Sequence, residues 1–294
     1  MMNKKIKSEF IIGDEWVYFK IYTGQSSSDL IITSFIKAFI KKLKKEKIID
    51  KWFFIRYSDP ENHLRLRFHL TDNDKIGNLI LDFNKRIKKF CSSKIVWNIQ
   101  MESYKRETQR YGIKTMEISE DLFHYDSELI INFLTYFKNT NHKSLRWIFG
   151  MVSIDHFLNN FNYTLNEKIN LFGNLKDAYS SEFNINRDTK NKINQKYKAH
   201  LNHIIQFFNT YTLLDEDHYE ISRIINKRNK KINKKIEQII IYNEKGELDV
   251  SLESFIRSHI HMQTNRLFNS EARLSELILY DFLYKFYNYL KAKK

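Results

Sequence analysis

The sequence predicts an α+β fold: an N-terminal split β-α-β (ferredoxin-like) antiparallel sheet followed by a largely helical second half. Three observations carry this. Residues 16–101 alternate between stretches of period two and stretches of helical period, in the order β-α-β-β-α-β. From about residue 119 the helical period takes over. No proline- or glycine-rich linker and no internal repeat interrupts the 294 residues. One unit over 1–294 is therefore expected, with a sheet-containing part over about 14–118 and a mainly helical part over 119–294.

WVYFKIY (16–22) reads as the first strand, and Gly24 with Ser26, Ser27, Ser28 and Asp29 supplies turn and cap chemistry for a helix over 29–47. KWFFIRY (51–57) and HLRLRFHL (63–70) flank the turn residues Ser58-Asp59-Pro60-Glu61-Asn62, so a hairpin is expected. Asp72 can cap a second amphipathic helix over 74–90, and KIVWNIQM (94–101) completes the sheet. Helices are then expected over 119–139, with Ser119 as cap, over 143–161 and over 165–183. A Lys/Asn-rich stretch (186–200) leads through HLNHIIQFFNTYTLL to NKRNKKINKK (226–235), and two last helices fall in 251–268 and 270–290.

The third strand sets the functional question. At period two it places Leu64, Leu66, Phe68 and Leu70 on one face and His63, Arg65, Arg67 and His69 on the other. The leucine face should meet the helices, leaving the basic face open beside Lys20, Tyr22, Asn98 and Gln100. Either Trp52/Phe54/Arg56 or Phe53/Ile55/Tyr57 joins it, because pattern alone does not fix register. Two guanidinium forks on one strand face can grip a carboxylate or phosphate, or can simply be solvated.

Composition narrows the classes. A 42% hydrophobic and 15% aromatic content describes a folded chain, and the single cysteine, Cys91, excludes an internal disulfide and a thiolate metal cluster. No run approaches the roughly 20 apolar residues of a spanning helix, and the N-terminus has no secretory pattern, so a cytoplasmic protein is expected. The net charge of +14 favours an anionic partner or substrate, although Lys, Asn and Ile are abundant throughout, as in proteins from AT-rich genomes. No GxGxxG, P-loop, GxSxG or zinc pattern occurs, and neither cofactor nor metal is expected.

Two further segments carry candidate chemistry. MESYKRETQRYG (101–112) holds Arg106 and Arg110 one helical turn apart near Glu102 and Glu107, an arrangement equally suited to surface ion pairs. SHIHMQTNRLF (258–268) holds His259 and His261, whose i, i+2 spacing on a helix rules out a two-histidine metal grip. His261 suits proton transfer near neutral pH, or a hydrogen-bonded place in the core.

Taken together, WVYFKIY, DKWFFIRYSDPENHLRLRF, ESYKRETQRYG, EISEDLFHYDSE and SHIHMQTNRLF resemble the C-terminal glutamate-elimination domain of lantibiotic dehydratases, also found as separate thiopeptide-type bacteriocin biosynthesis proteins. The resemblance runs from about Trp16 to near residue 290. It implies removal of glutamate from glutamylated Ser/Thr of a ribosomally made precursor peptide, giving dehydroalanine or dehydrobutyrine. It also implies a separate tRNA-dependent glutamylating partner. By resemblance, Arg65 and Arg67 hold the glutamyl group, Arg106 is the YxRE arginine, and His261 acts in proton transfer; Arg110 and His63 flank this set. Gly112 is followed by Ile113 and NRLF by Asn269, where relatives often carry glycine, so loop shape and substrate choice should differ. A pyridine-forming cycloaddition enzyme of the same fold and a non-catalytic precursor-binding subunit are the alternatives. Direct nucleic-acid binding is not expected; homo-oligomers remain open.

Overall fold

The computed structural model describes residues 6–139, 143–208 and 216–293. They fall into two compact units, one of residues up to 138 plus 238–270, the other of residues 139–237 plus 271 onward.

The first unit begins with β1 (Glu9–Phe10) and β2 (Trp16–Thr23). A helical stretch follows: α1 (Gln25–Leu30), a π-helical segment (Ile31–Ile36) and α2 (Lys37–Lys45). Helical geometry thus starts four residues before Asp29, with Gly24 at the cap position and no side-chain cap. Asp29 instead lies inside the helix and accepts from Arg56 Nη2 at 2.6 Å. β3 (Ile49–Tyr57) and β4 (His63–Leu70) form the expected hairpin. Asp72 accepts from the Asp74 N–H at the 3₁₀ turn that opens α3 (Ile76–Ser92), and β5 (Val96–Glu102) follows.

The four-stranded sheet has the order β3-β4-β2-β5, antiparallel throughout, which is the split β-α-β arrangement of the ferredoxin-like fold. On one face Leu64, Leu66, Phe68 and Leu70 are at most 2% exposed. Phe39 of α2 meets Phe68 edge-on at 5.5 Å, and Phe83 of α3 stacks on Phe19 at 4.2 Å. Leu79, Phe83, Ile87 and Phe90 make the helical stripe that closes this layer. Each such buried side chain contributes roughly 1.5–3 kcal/mol.

The other face is not open. Register puts Phe53, Ile55 and Tyr57 beside Arg67, Arg65 and His63, and Trp52, Phe54 and Arg56 on the helical side. Trp16, Tyr18, Phe53, His63 and Arg67 are all buried on this second face. The covering chain runs through β6 (Tyr104–Lys105), which pairs with β1, then α4 (Thr108–Tyr111) and α5 (Met116–Tyr136). Tyr104 packs against Trp16 at 5.3 Å and Phe53 at 6.0 Å, and Phe123 against Phe53 at 5.3 Å. α5 starts before Ser119, whose hydroxyl donates back to the Thr115 carbonyl instead of capping the helix.

The second unit contains α6 (Lys143–Asn160), α7 (Leu165–Glu182), α8 (Arg187–Phe208) and α11 (Ala272–Ala292), with the first part of α9 (Glu216–Glu244). The Lys/Asn-rich stretch is thus helical, held by Ile193, Tyr197, Ile204 and Phe207 on one buried stripe. The end of HLNHIIQFFNTYTLL (209–214) lies outside the described residues. In the interior, Lys168 pairs with Asp155 at 2.7 Å, and Tyr287 donates to the same carboxylate at 2.8 Å. No described helix is long and apolar enough to cross a membrane.

The last element of the first unit, α10 (Leu252–Leu267), is capped by the Ser251 hydroxyl, which accepts from the Ser254 N–H. Together α5 and α10 satisfy the outer edge of β3. Ser127 faces the Phe54 N–H at 3.2 Å, and Arg266 Nε donates to the Phe54 carbonyl at 2.8 Å. Asn265 bonds both the N–H and the carbonyl of Arg56 at 2.9 Å. An edge strand so covered has no ladder left to offer. Replacing Asn265 with Ala orphans two backbone groups and should cost about 1–3 kcal/mol. A urea midpoint indistinguishable from the wild type would refute this.

Candidate active site

Arg67 sits at the centre of the second face. Its guanidinium carbon lies 4.3 Å from the Tyr18 ring centroid, 4.9 Å from Tyr104 and 5.2 Å from Phe53. The two cross-strand neighbours and the covering strand thus enclose the cation in aromatic faces, which attract it electrostatically. No carboxylate among the described residues pairs with it, and its Nε is buried without a hydrogen-bond partner. A small cavity of about 20 Å³ adjoins it, lined also by Phe53, Tyr104, Tyr111, Phe123 and Met262.

Arg65, half-buried, points along the same face toward solvent. Its guanidinium stacks 3.5 Å from the Tyr57 centroid and donates from Nε to His63 Nε2 at 3.1 Å. His63 Nδ1 in turn lies 2.7 Å from the Glu61 carbonyl, so the ring is neutral with its proton on Nδ1. Burial pushes its pKa down; the Glu61 carbonyl contact opposes this in part, the Arg65 and Lys20 charges lower it further, and Glu102 pulls it up slightly. His63 therefore orients Arg65. Lys20, directly across from Arg65, is neutralised by Glu102 at 2.5 Å. His69 lies at the other end of the strand, 2.7 Å from Asp50.

The structure separates the arginines that the sequence groups together. Arg106 is not on a helix with Arg110: it follows β6 in extended chain, its N–H bonded to the Ser8 carbonyl. Its guanidinium forms a two-pronged pair with Glu120, both contacts at 2.7 Å, and Nη1 donates to the Lys7 carbonyl at 2.9 Å. Tyr104 donates to the same Glu120 carboxylate at 3.0 Å. Both charged side chains are almost fully buried, and Glu120 links Arg106 to Tyr104, which packs on Arg67. Arg110 is half-exposed, 3.5 Å from Glu107, and lines an open groove of about 610 Å³ with Gln109, Ser251, Ser254 and Ser258.

The two histidines of α10 divide as their spacing implies. His259 is 1% exposed, packs among Tyr111, Phe123 and Phe255, and faces Ser119 Oγ at 3.3 Å. Burial and the nearby Arg266 bring its pKa down to about 3. It is the hydrogen-bonded core histidine. His261 is half-buried on a different side of the helix, adjacent in sequence to Met262 of the Arg67 cavity and one turn beyond Ser258 of the groove.

Sequence reasoning passed over Arg266. It is completely buried, its guanidinium carbon 5.1 Å from the Phe123 centroid, with Nη1 and Nη2 lacking hydrogen-bond partners. Burial lowers its pKa to about 10. Its place in NRLF was visible, but a single arginine at a helix end gives no sign that it will be enclosed. No group of three or more His, Cys, Asp or Glu among the described residues could hold a metal ion.

Two measurements test this electrostatic arrangement. His259 is neutral when folded and titrates near its usual 6.5 when unfolded. Below about pH 6.5 the unfolded chain binds a proton that the native ring refuses. Stability should therefore fall as pH drops from 6.5 toward 3, by up to about 1.4 kcal/mol per pH unit. His124, brought to about 4 by burial and Lys44, adds to the same trend, so His259→Gln should flatten the slope only in part. A slope unchanged by His259→Gln would contradict the assignment. For Arg106 and Glu120, either single alanine variant should lose about 3–5 kcal/mol by stranding a buried charge. The double variant should lose clearly less than the sum of the singles, and strict additivity in the cycle would remove the structural role.

Comparison with known proteins agrees with this architecture. Residues 16–287 match the family model described as lantibiotic biosynthesis dehydratase C-term. The chain is 29% identical over 272 residues to nisin biosynthesis protein NisB of Lactococcus lactis subsp. lactis, covering 91% of this chain and 25% of NisB. It is 28% identical over 187 residues to subtilin biosynthesis protein SpaB of Bacillus subtilis, covering 63% of this chain and 18% of SpaB. The chain thus spans a quarter or less of the length of these relatives. Among solved structures, the tRNA dependent lantibiotic dehydratase MibB from Microbispora sp. 107891 superposes with a TM-score of 0.71 at 18% identity, over 96% of this chain and 29% of MibB. The pyridine synthase TbtD from thiomuracin biosynthesis gives 0.63 at 12% identity, over 94% of this chain and all of TbtD. At those identities the two structures share the fold. With the family model spanning nearly the whole chain, this protein belongs to the lantibiotic biosynthesis dehydratase C-terminal family.

Proposed function

We propose that the chain eliminates glutamate from glutamylated Ser or Thr residues of a ribosomally made precursor peptide, after a separate tRNA-dependent partner has attached the glutamyl group. The observation that carries this reading is Arg67: a buried cation with no carboxylate of its own, facing a cavity. A cation held without a counter-ion is ready for an anionic ligand.

The chemistry asks for such a group. A base removes the Cα proton, the C–H electrons form the Cα=Cβ double bond, and the Cβ–O bond breaks so that glutamate departs with a new carboxylate. Arg67, with Arg65 nearer solvent, meets the charge of the glutamyl group and the charge that develops on leaving. A contact that strengthens as the bond breaks lowers the barrier selectively. His261, on the helix that supplies Met262 to the cavity, is the proton-transfer candidate. Arg106 holds Tyr104 and through it the Arg67 cage. The Arg110 groove, rich in hydroxyls, is suited to the flanking peptide.

Pyridine-forming cycloaddition between two dehydroalanines involves no carboxylate substrate, and an unpartnered Arg67 favours elimination over it. With the glutamylating partner present, Arg67→Ala and His261→Ala should each slow dehydration by about 100-fold or more, so that intact glutamyl adducts accumulate in the mass spectrum. Full dehydration by both variants would reject the reading. Tight peptide binding with dehydration indifferent to either residue would leave a non-catalytic binding subunit.

A further inference from the structure

The run NKRNKKINKK has no part in the site described above, yet on the folded chain it acquires a definite arrangement. It lies within α9, in the part of that helix that belongs to the second unit. Ile221, Ile225, Ile232 and Ile236 are at most 1% exposed and form the inner stripe, and Arg228 turns inward with them, donating from Nη2 to the Ser153 carbonyl at 2.9 Å. Arg223, Lys227, Lys230, Lys231 and Lys234 are all exposed. At about 3.6 residues per turn these five fall within an arc of about 100° on the outer side and span about 17 Å along the axis.

The stripe is largely uncompensated. Glu220 pairs with Arg223 at 2.6 Å, but among the described residues no carboxylate pairs with the four lysines. Neighbouring cations lie three or four positions apart, where like charges repel and weaken a helix, so the stripe costs stability and returns no internal contact. A polyanion would relieve that repulsion.

The chemistry of the face decides which polyanion. Protein interfaces are depleted in lysine and centre on an aromatic or apolar anchor, whereas no apolar side chain is exposed between Arg223 and Lys234. A membrane-surface helix buries an apolar face in lipid, but the apolar face of α9 is already used in the protein interior. Lysines in a row suit a phosphate backbone, which presents charge continuously and is held without being read. A run without interleaved aromatics cannot read bases, which is why the chain alone leads to no expectation of nucleic acid; backbone docking needs none.

We propose that the outer face of α9 is a docking surface for the phosphate backbone of folded RNA, namely the transfer RNA used by the glutamylating partner. Only the choice of transfer RNA rests on the elimination reading. Docking there keeps the glutamyl donor and the eliminating chain together as the peptide passes from one step to the next.

Fluorescence anisotropy of a labelled transfer RNA titrated with the full chain tests this. The wild type should bind at about 50 mM salt and lose about tenfold or more in affinity at about 200 mM, as counterion release requires. Changing Lys227, Lys230, Lys231 and Lys234 together to Gln should weaken binding about tenfold or more and reduce the slope of log affinity against log salt by about three. Gln matches Lys in helix propensity and removes the repulsion, so the thermal midpoint should not fall. Changing Lys41, Lys45, Lys85 and Lys88 to Gln removes the same charge from exposed sites on α2 and α3 and should leave affinity within about twofold of the wild type. Equal weakening by both sets makes net charge the cause and overturns the surface, as does a wild type that binds no transfer RNA at low salt. Polyglutamate that displaces the RNA better than unlabelled transfer RNA makes the partner an acidic protein and overturns the assignment to RNA. Binding lost with the α9 lysines, by a wild-type chain that leaves glutamyl adducts untouched, keeps the surface and removes the elimination reading. Unchanged affinity in the α9 variant beside normal elimination does the reverse.

Discussion

The covered edge of β3 is the constraint on which the first unit depends. A four-stranded sheet with helices on one side has a second face and two edges to resolve, and at β3 one set of contacts serves both that face and that edge. Ser127, Asn265 and Arg266 satisfy the backbone of Phe54 and Arg56, fixing α5 and α10 against the strand. Once those helices are fixed, their inner sides supply Phe123 and Met262 to the cavity beside Arg67. The site is therefore a consequence of edge protection: the polar groups that end the sheet also carry the cavity walls.

Within that frame, identical residue types have different fates because of what surrounds them. Arg106 meets Glu120 in a buried two-pronged pair and becomes structural support for Tyr104. Arg56 is spent on Asp29 and on the turn of chain at Arg266. Arg67 is enclosed by aromatic rings with no carboxylate paired to it among the described residues, whereas Arg266 lies over the Phe123 ring and feels the Asp126 carboxylate. Aromatic faces offset part of the desolvation of a cation but leave its donors unsatisfied. An arginine in this condition is more available to a ligand than one in a salt bridge, because no ion pair must be broken first. On α10, His259 is fixed neutral in the core, and His261 lies half-buried on a different side of the helix.

Much of this was legible in the chain before any coordinates. Strand and helix periods gave the split β-α-β order, and alternation assigned Leu64, Leu66, Phe68 and Leu70 to the core face correctly. The same alternation placed His63, Arg65 and Arg67 together. Boundaries were less legible: Ser119 and the Ser26–Asp29 cluster have cap chemistry, yet both lie inside helices, where Ser119 bonds back to Thr115 and Asp29 answers Arg56. Cap residues also occur within helices when a tertiary partner claims the side chain.

What the sequence determined by itself was therefore local: periodicity, the two faces of HLRLRFHL, and the ordered blocks that carry the family. What only the tertiary structure decided was that the basic face is covered as well as the apolar one, and which arginine finds a carboxylate. Those outcomes depend on residues far apart in sequence, such as Arg67 with Tyr104, Tyr111 and Met262, lining one small cavity. Burial and pairing are properties of that volume, and no spacing along the chain encodes them.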